Sequence, residues 1–230
     1  MPKHASTQRS RRARLGELIQ IDGSPHDWFE GRGEYCTLLV FIDDATGRLM
    51  QLRFVPSETT LGYMCVLHDH ILAHGVPVAL YSDKHSIFRI NAKEADPEAE
   101  TQFSRAAREL GIACIHANSP QAKGRVERAN QTLQDRLVKE MRLAGIEDMD
   151  SANAWLPGFI ADYNRRFAVV PKETEDAHLP YQGTAEAADR HPVGTGGKNA
   201  VEKSLMELLA IRLGEPTTLA KSLVDRKSVV

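Results

Sequence analysis

The chain has 230 residues, 42% of them hydrophobic, and sets 29 Lys and Arg against 31 Asp and Glu for a formal charge of -2. That apolar fraction suffices for one ordinary domain with appendages. No stretch reaches the roughly 20 uncharged apolar residues that a membrane-spanning helix needs, and no apolar signal region follows the basic start at Met1–Arg14, so a cytoplasmic protein without a membrane partner is expected. Cys36, Cys65 and Cys114 lie far apart in apolar runs, which predicts reduced core residues and excludes a C-x-x-C zinc or disulfide framework. The near-zero net charge argues against a uniformly basic surface. Cations nevertheless concentrate in residues 1–14 (Lys3, Arg9, Arg11, Arg12, Arg14) and 122–143, which read either as phosphate contacts or as a solvated tail and helix face.

Leu15 to Asp22 (LGELIQID) is a short apolar stretch closed by Gly23-Ser24-Pro25, which predicts a strand ending at or near Asp22. Tyr35–Asp43 and Arg48–Val55 flank Asp44-Ala45-Thr46-Gly47 and predict a hairpin. Its first arm is apolar throughout, as in a central strand covered on both faces; the second, with Arg48, Gln51 and Arg53, reads as nearer an edge. Glu58–His74 is helical in period and Gly75 supplies a stop. Val76–Asp83 is a strand ending in a second carboxylate, Glu98–Leu110 an amphipathic helix, and Ile112–Ala117 a fifth strand. Asn118-Ser119-Pro120 is a helix start, and the helix can run to about Ala144 with Val126, Ala129, Leu133, Leu137 and Met141 as its buried stripe. Lys123, Glu127, Gln131 and Gln134 fall on a neighbouring polar stripe. A last helix, Ser151–Arg166, carries Trp155, Leu156, Phe159, Ile160 and Tyr163 at core spacing, with Pro157 near its first turn. Three strands, helix, strand, helix, strand and two helices make an α/β order.

Three acids hold comparable places: Asp22 ending the first strand, Asp83 ending the fourth, and Glu127 on the helix after the fifth. In a compact sheet they could converge. Phosphodiester cleavage or transfer is helped by two metal ions, and hard Mg²⁺ is suited by a site of few carboxylates with room for water and phosphate. Each acid alone also reads as an ordinary solvated group or a turn residue.

The wording around the three acids carries more. SPQAKGRVERANQTLQDRL at 119–137 closely resembles the glutamate-bearing helix of insertion-sequence transposases and retroviral-type integrases. YSDKHSIF at 81–88 resembles the segment holding their second aspartate, and LIQIDGSPHDWF at 18–29 the segment holding the first. The interval from Asp83 to Glu127 exceeds by several residues the roughly 35 that names the wider D,D-35-E group. The closest resemblance is to ISNCY-type transposases, over about Leu15–Pro180. It implies an RNase H-like fold, a central mixed five-stranded sheet with helices on both faces. It further implies DNA cleavage and strand transfer with two Mg²⁺ (or Mn²⁺) ions on Asp22, Asp83 and Glu127. Lys123, Arg125 and Arg128 would then hold phosphates of the element ends and target DNA, and the full-length protein would be a homo-oligomer.

The domain reading is a basic stub at 1–14, a catalytic core at 15–168 and a divergent, partly disordered tail at 169–230. A transposase of this kind is expected to carry an N-terminal helix-turn-helix region, and the resemblance ends near Pro180. A truncated or frame-shifted element, catalytically silent and at most a nucleic-acid-binding module, is therefore one alternative. An RNase H-like nuclease is the other. His70 and His74 stand one helical turn apart but read as surface histidines for want of a second pair. Asp43 and Asp44 are explained by hairpin geometry, and Trp28 by the core.

Overall fold

The computed structural model describes residues 10–83, 87–88, 101–116 and 124–181, the side chains of 124 and 125 excepted. Five strands and four helices follow in the predicted order: β1 (Ile19–His26), β2 (Cys36–Asp43), β3 (Leu49–Val55), α1 (Thr60–His74), β4 (Ala79–Ser82), α2 (Gln102–Glu109), β5 (Ala113–His116), α3 (Gly124–Leu143) and α4 (Met149–Phe167). They form one mixed sheet ordered β3-β2-β1-β4-β5, antiparallel among the first three and parallel from β1 through β5.

The alternation of side chains along β2 builds the two halves of the core. Leu39 and Phe41 pack with Tyr63, Met64 and Leu67 of α1 and Phe103 and Ala106 of α2. Leu38, Val40 and Ile42 point the other way, onto Val126, Leu133 and Leu137 of α3 and Leu156 and Phe159 of α4. All eight β2 residues are buried, as expected of a central strand with helices on both faces. The whole predicted stripe of α3, from Val126 to Met141, is buried. Trp28 is fully buried and its indole N–H donates to Ser24 O at 3.0 Å, which accounts for it as a core residue.

Several boundaries differ from expectation, β4 among them: it runs Ala79–Ser82 rather than Val76–Asp83, so Asp83 lies just past its end. β1 starts later than Leu15 and continues through Gly23-Ser24-Pro25, because β2 pairs with it from Ile19↔Asp43 to His26↔Cys36. Asp22 is thus in mid-strand. β4 pairs with β1 only at Ile19 and Gln20, so Pro25 lies where that side of β1 is an edge, and an edge accommodates proline. α4 begins at Met149, two residues before the expected Ser151, since the Asp148 side chain accepts the Ser151 N–H at 2.8 Å. Pro157 therefore sits inside the helix, on its exposed side, rather than in the first turn.

The outer edge of β3 is closed by α4. Asn164 Oδ1 accepts from Leu49 N at 2.8 Å while its Nδ2 donates to Leu49 O at 2.8 Å. Asn153 does the same to Phe54, at 2.8 and 3.0 Å. Eleven residues of helix and five of strand both span roughly 16 Å, so the two amides meet the strand in step. An interval of five would ordinarily turn the two N–H groups to opposite edges; the register shift at Phe41/Ile42 opposite Met50 restores the phase.

Buried carboxylates tie the flanking segments to this frame. Asp43 and Asp44 do more than make a turn. Asp43 accepts from Thr46 N, Thr46 Oγ1 and Gly16 N at 2.7, 2.6 and 3.0 Å, and Asp44 accepts from Arg12 N at 2.8 Å. On the other side of the sheet, Gly75 ends α1 at φ 98, and a Cβ there would meet Leu179 O at 2.7 Å. Leu179 pairs with Val76 as an isolated bridge. This brings His178 onto α1, with Nε2 3.1 Å from His70 Nε2. His70 is fully buried, contrary to the expected surface position, because its covering partner comes from far along the chain. Cys36 is buried and its thiol is pushed up to about 11, first by desolvation, then by Asp27 and Glu34.

Candidate active site

The parallel register sets two of the three acids side by side. Ile19 pairs with Leu80 and Gln20 with Tyr81, where β1–β4 pairing stops. Asp22 and Asp83 each lie two residues beyond the last pair, on strands that are neighbours at about 4.8 Å. Both are partly exposed. This is the point where the sheet order jumps from β1 to β4, beyond the ends of parallel strands, where open α/β sheets characteristically bind ligands.

α3 is laid along β1 by three polar contacts in register. Val126 N donates to Gln20 Oε1 at 3.3 Å, Asn130 Nδ2 to Asp22 Oδ2 at 2.9 Å, and Gln134 Nε2 to Ser24 Oγ at 3.0 Å. Helix residues four apart rise about 6 Å and strand residues two apart about 6.6 Å, so every turn of α3 meets every second residue of β1. The Val126 N–H is in the first turn of α3 as described, and Gln20 receives it. Gln20 Nε2 in turn donates to Asp44 Oδ1 at 2.6 Å. A buried chain of polar groups thus runs from the Arg12 backbone through Asp44 and Gln20 to α3.

Glu127 follows Val126 and stands one turn before Asn130, with its side chain exposed. The structure brings Asp22 and Asp83 together and the glutamate-bearing helix against Asp22. It does not gather the three carboxylates into one ligand set: among the described residues, no group of three His, Cys, Asp or Glu side chains is arranged to hold a metal ion. Arg128 is exposed beside Glu127. Lys123 and the Arg125 side chain lie outside the described residues, as does the predicted helix start at 118–120.

The neighbourhood also holds residues that the motifs did not flag. Asn130 is 9% exposed, and its Oδ1 is buried without a hydrogen-bond partner while its Nδ2 holds Asp22. Its interval of three from Glu127 places it one turn along the same helix, a signal available in the sequence. Ser82 Oγ lies 3.3 Å from His116 Nδ1, which puts an imidazole at the strand end next to Asp83. Tyr63 is fully buried and its hydroxyl donates to Glu58 Oε2 at 2.9 Å. Burial raises its pKa first, and Glu58, Asp22 and Asp83 add to the rise, so all three carboxylates are within electrostatic reach of one phenol.

No model of a known protein family matches the chain. It is 59% identical over 173 residues to “Putative transposase y4bF” of Sinorhizobium fredii (strain NBRC 101917 / NGR234), an alignment covering 75% of this chain and 38% of that protein. It is 40% identical over 169 residues to the transposase for insertion sequence IS1202 of Streptococcus pneumoniae, covering 72% of this chain and 36% of that one. The chain thus spans less than two fifths of the length of either relative. In fold it is similar to a chain of the simian T-cell lymphotropic virus intasome solved with PP2A regulatory subunit B56 gamma, with a TM-score of 0.54 and 19% identity, covering 81% of this chain and 62% of that one. Together with the mixed five-stranded sheet, this likeness establishes the expected RNase H-like fold.

Proposed function

We propose that the chain, similar over about three quarters of its length to two transposases, is the part of a transposase that cuts and joins DNA, with Asp22, Asp83 and Glu127 as its metal ligands. The observation that carries this reading is the level placement of Asp22 and Asp83 at the opening between β1 and β4, with Asn130 of the glutamate-bearing helix donating to Asp22.

The residues present fit a hard divalent cation. Carboxylate oxygens are the donors Mg²⁺ prefers, and the partnerless buried Oδ1 of Asn130 beside Asp22 is an acceptor suited to a hydrated ion. Two Mg²⁺ or Mn²⁺ ions held there would activate the attacking oxygen and stabilise the leaving one. Asn130 fixes the orientation of the Asp22 carboxylate, and Gln20 fixes the height of α3, and so of Glu127, above β1. Lys123, Arg125 and Arg128, all close to Glu127 in sequence, would hold DNA phosphates. The attacking group is water for cleavage and a DNA 3′-hydroxyl for joining, so no protein side chain becomes covalently attached. DNA ends, target DNA and further copies of the chain are the partners this reading requires. No helix among the described residues is long and apolar enough to cross a membrane.

One observation favours a second reading, a catalytically silent nucleic-acid-binding module: the Glu127 side chain is exposed and does not close on the aspartates. Mg²⁺-dependent nicking and strand transfer on DNA, comparing the chain with Asp83→Asn and Glu127→Gln, separates the two. The proposed reading expects both variants to fall to the metal-free background. Activity indifferent to both substitutions would end the triad assignment, and an inactive parent that still binds DNA would favour the silent module.

A further inference from the structure

We propose that Glu58 is a positioning carboxylate of the same site, a fourth acid that the sequence motifs do not include and that strengthens cation binding by Asp22 and Asp83. The inference rests on the reading of Asp22 and Asp83 as metal ligands.

Glu58 precedes α1 and is only partly exposed. Two contacts fix it. Its Oε2 accepts from the fully buried Tyr63 hydroxyl at 2.9 Å, and its carboxylate lies directly over Gly23, the residue after Asp22. The approach is so close that a Cβ on residue 23 would stand 2.3 Å from both Cδ and Oε1 of Glu58. Glycine at 23 is therefore what lets a carboxylate reach the strand at this level. Side chains alternate along β1, so Asp22 faces α3 while Gly23 faces α1, and Glu58 approaches the same level of the strand from the opposite face of the sheet.

A structural role alone would be met by the Tyr63 hydrogen bond. The placement adds a negative charge at the strand level of Asp22, across the sheet from it, where β1 and β4 have parted, and Asp22 and Asp83 both act on the phenol that Glu58 caps. Three like charges in one neighbourhood oppose one another until a cation joins them. A second observation is Oδ1 of Asn130, on a residue about nine-tenths buried whose amide already engages Asp22: it is a buried oxygen without a hydrogen-bond partner, the kind of acceptor a cation beside Asp22 would satisfy. Glu58 need not touch that ion. A unit charge acting through a largely aqueous dielectric on a dication a few residues away is worth about three- to tenfold in affinity.

Mn²⁺ binding to the full 230-residue chain, read by the electron paramagnetic resonance signal of free Mn²⁺, tests this without requiring turnover. Glu58→Gln keeps an acceptor for the Tyr63 hydroxyl and removes only the charge; it is expected to weaken Mn²⁺ binding about fivefold with an unchanged thermal midpoint. Gly23→Ala displaces the carboxylate by collision and should weaken binding comparably, and the effect should vanish when the same change is made in a Glu58→Ala background. Unaltered Mn²⁺ affinity in Glu58→Gln overturns the inference and leaves the proposed site standing if Asp83→Asn still abolishes binding. Unaltered affinity in Asp83→Asn overturns the site itself, and this inference with it.

Discussion

Replacing Gln20 by methionine removes both hydrogen-bonding ends of a side chain that is 1% exposed while keeping its length. Two losses follow. The bond from Nε2 to the Asp44 carboxylate, 2.6 Å long, is a bond to a charged acceptor and contributes about 1.5–3 kcal/mol. The Val126 N–H, 3.3 Å from Oε1, is left in the protein interior without an acceptor, at a cost of about 1 kcal/mol for so long a bond. Asp44 keeps its contact with the Arg12 N–H, so its charge is not stranded. The sum is about 2.5–4 kcal/mol, which for a domain of this size lowers the thermal midpoint by roughly 10 °C. Urea denaturation at constant slope measures the first figure and calorimetry the second. With the first turn of α3 released from β1, Glu127 loses its fixed height, and turnover should fall by more than Mn²⁺ binding does. A destabilisation below about 0.5 kcal/mol would refute the assignment of Gln20 as the anchor of α3.

Three further outcomes are expected. Asn164→Ala strips the Leu49 N–H and C=O of their partner and should cost about 2 kcal/mol by denaturant titration; Asn164→Asp should cost at least as much, because a carboxylate accepts the N–H but repels the carbonyl. Stability should decline as pH falls below about 6.5. Desolvation, then His178 and His74, hold the buried His70 well below the ordinary histidine value of 6.5, and burial lowers His74 too, so the unfolded chain binds more protons in that window. The decline should be smaller in His70→Gln, as read by thermal midpoints between pH 7.5 and 5, and an identical slope in both proteins would count against it. Asp43 works in the opposite sense but only in the carboxylate range, since burial raises its pKa from 3.8. Asn130→Ala should weaken Mn²⁺ binding while leaving the fold intact by circular dichroism; undiminished binding would remove Asn130 from the site.

The element order was readable because it depends on periodicity within short windows. β2 is apolar at every position because both its faces are covered, and the α3 stripe returns every three or four residues. What failed depends on distant contacts. Gly23-Ser24-Pro25 has the composition of a turn, and only its pairing with residues 37–39 of β2 makes it strand. His70 looked solvated because its cover, His178, is far along the chain, and Asp43 and Asp44 looked like turn residues because Gly16 and Arg12 could not be seen approaching them. The site divides the same way. The candidates Asp22 and Asp83 stand out in sequence by their apolar strands and local wording, while Gln20 and the proposed Glu58 do not, since each matters only through what the folded sheet presses against it.

The paired asparagines of α4 also have a bearing on assembly. An extended segment that docks onto a sheet must borrow the backbone groups of a terminal strand, and on β3 those at Leu49 and Phe54 are already spoken for by side-chain amides that imitate a neighbouring strand. Growth of this sheet is thereby made one-directional. Among the described residues, the terminal strand left for a sixth strand to join is β5, on the side of the molecule where β4 and Asp83 also lie.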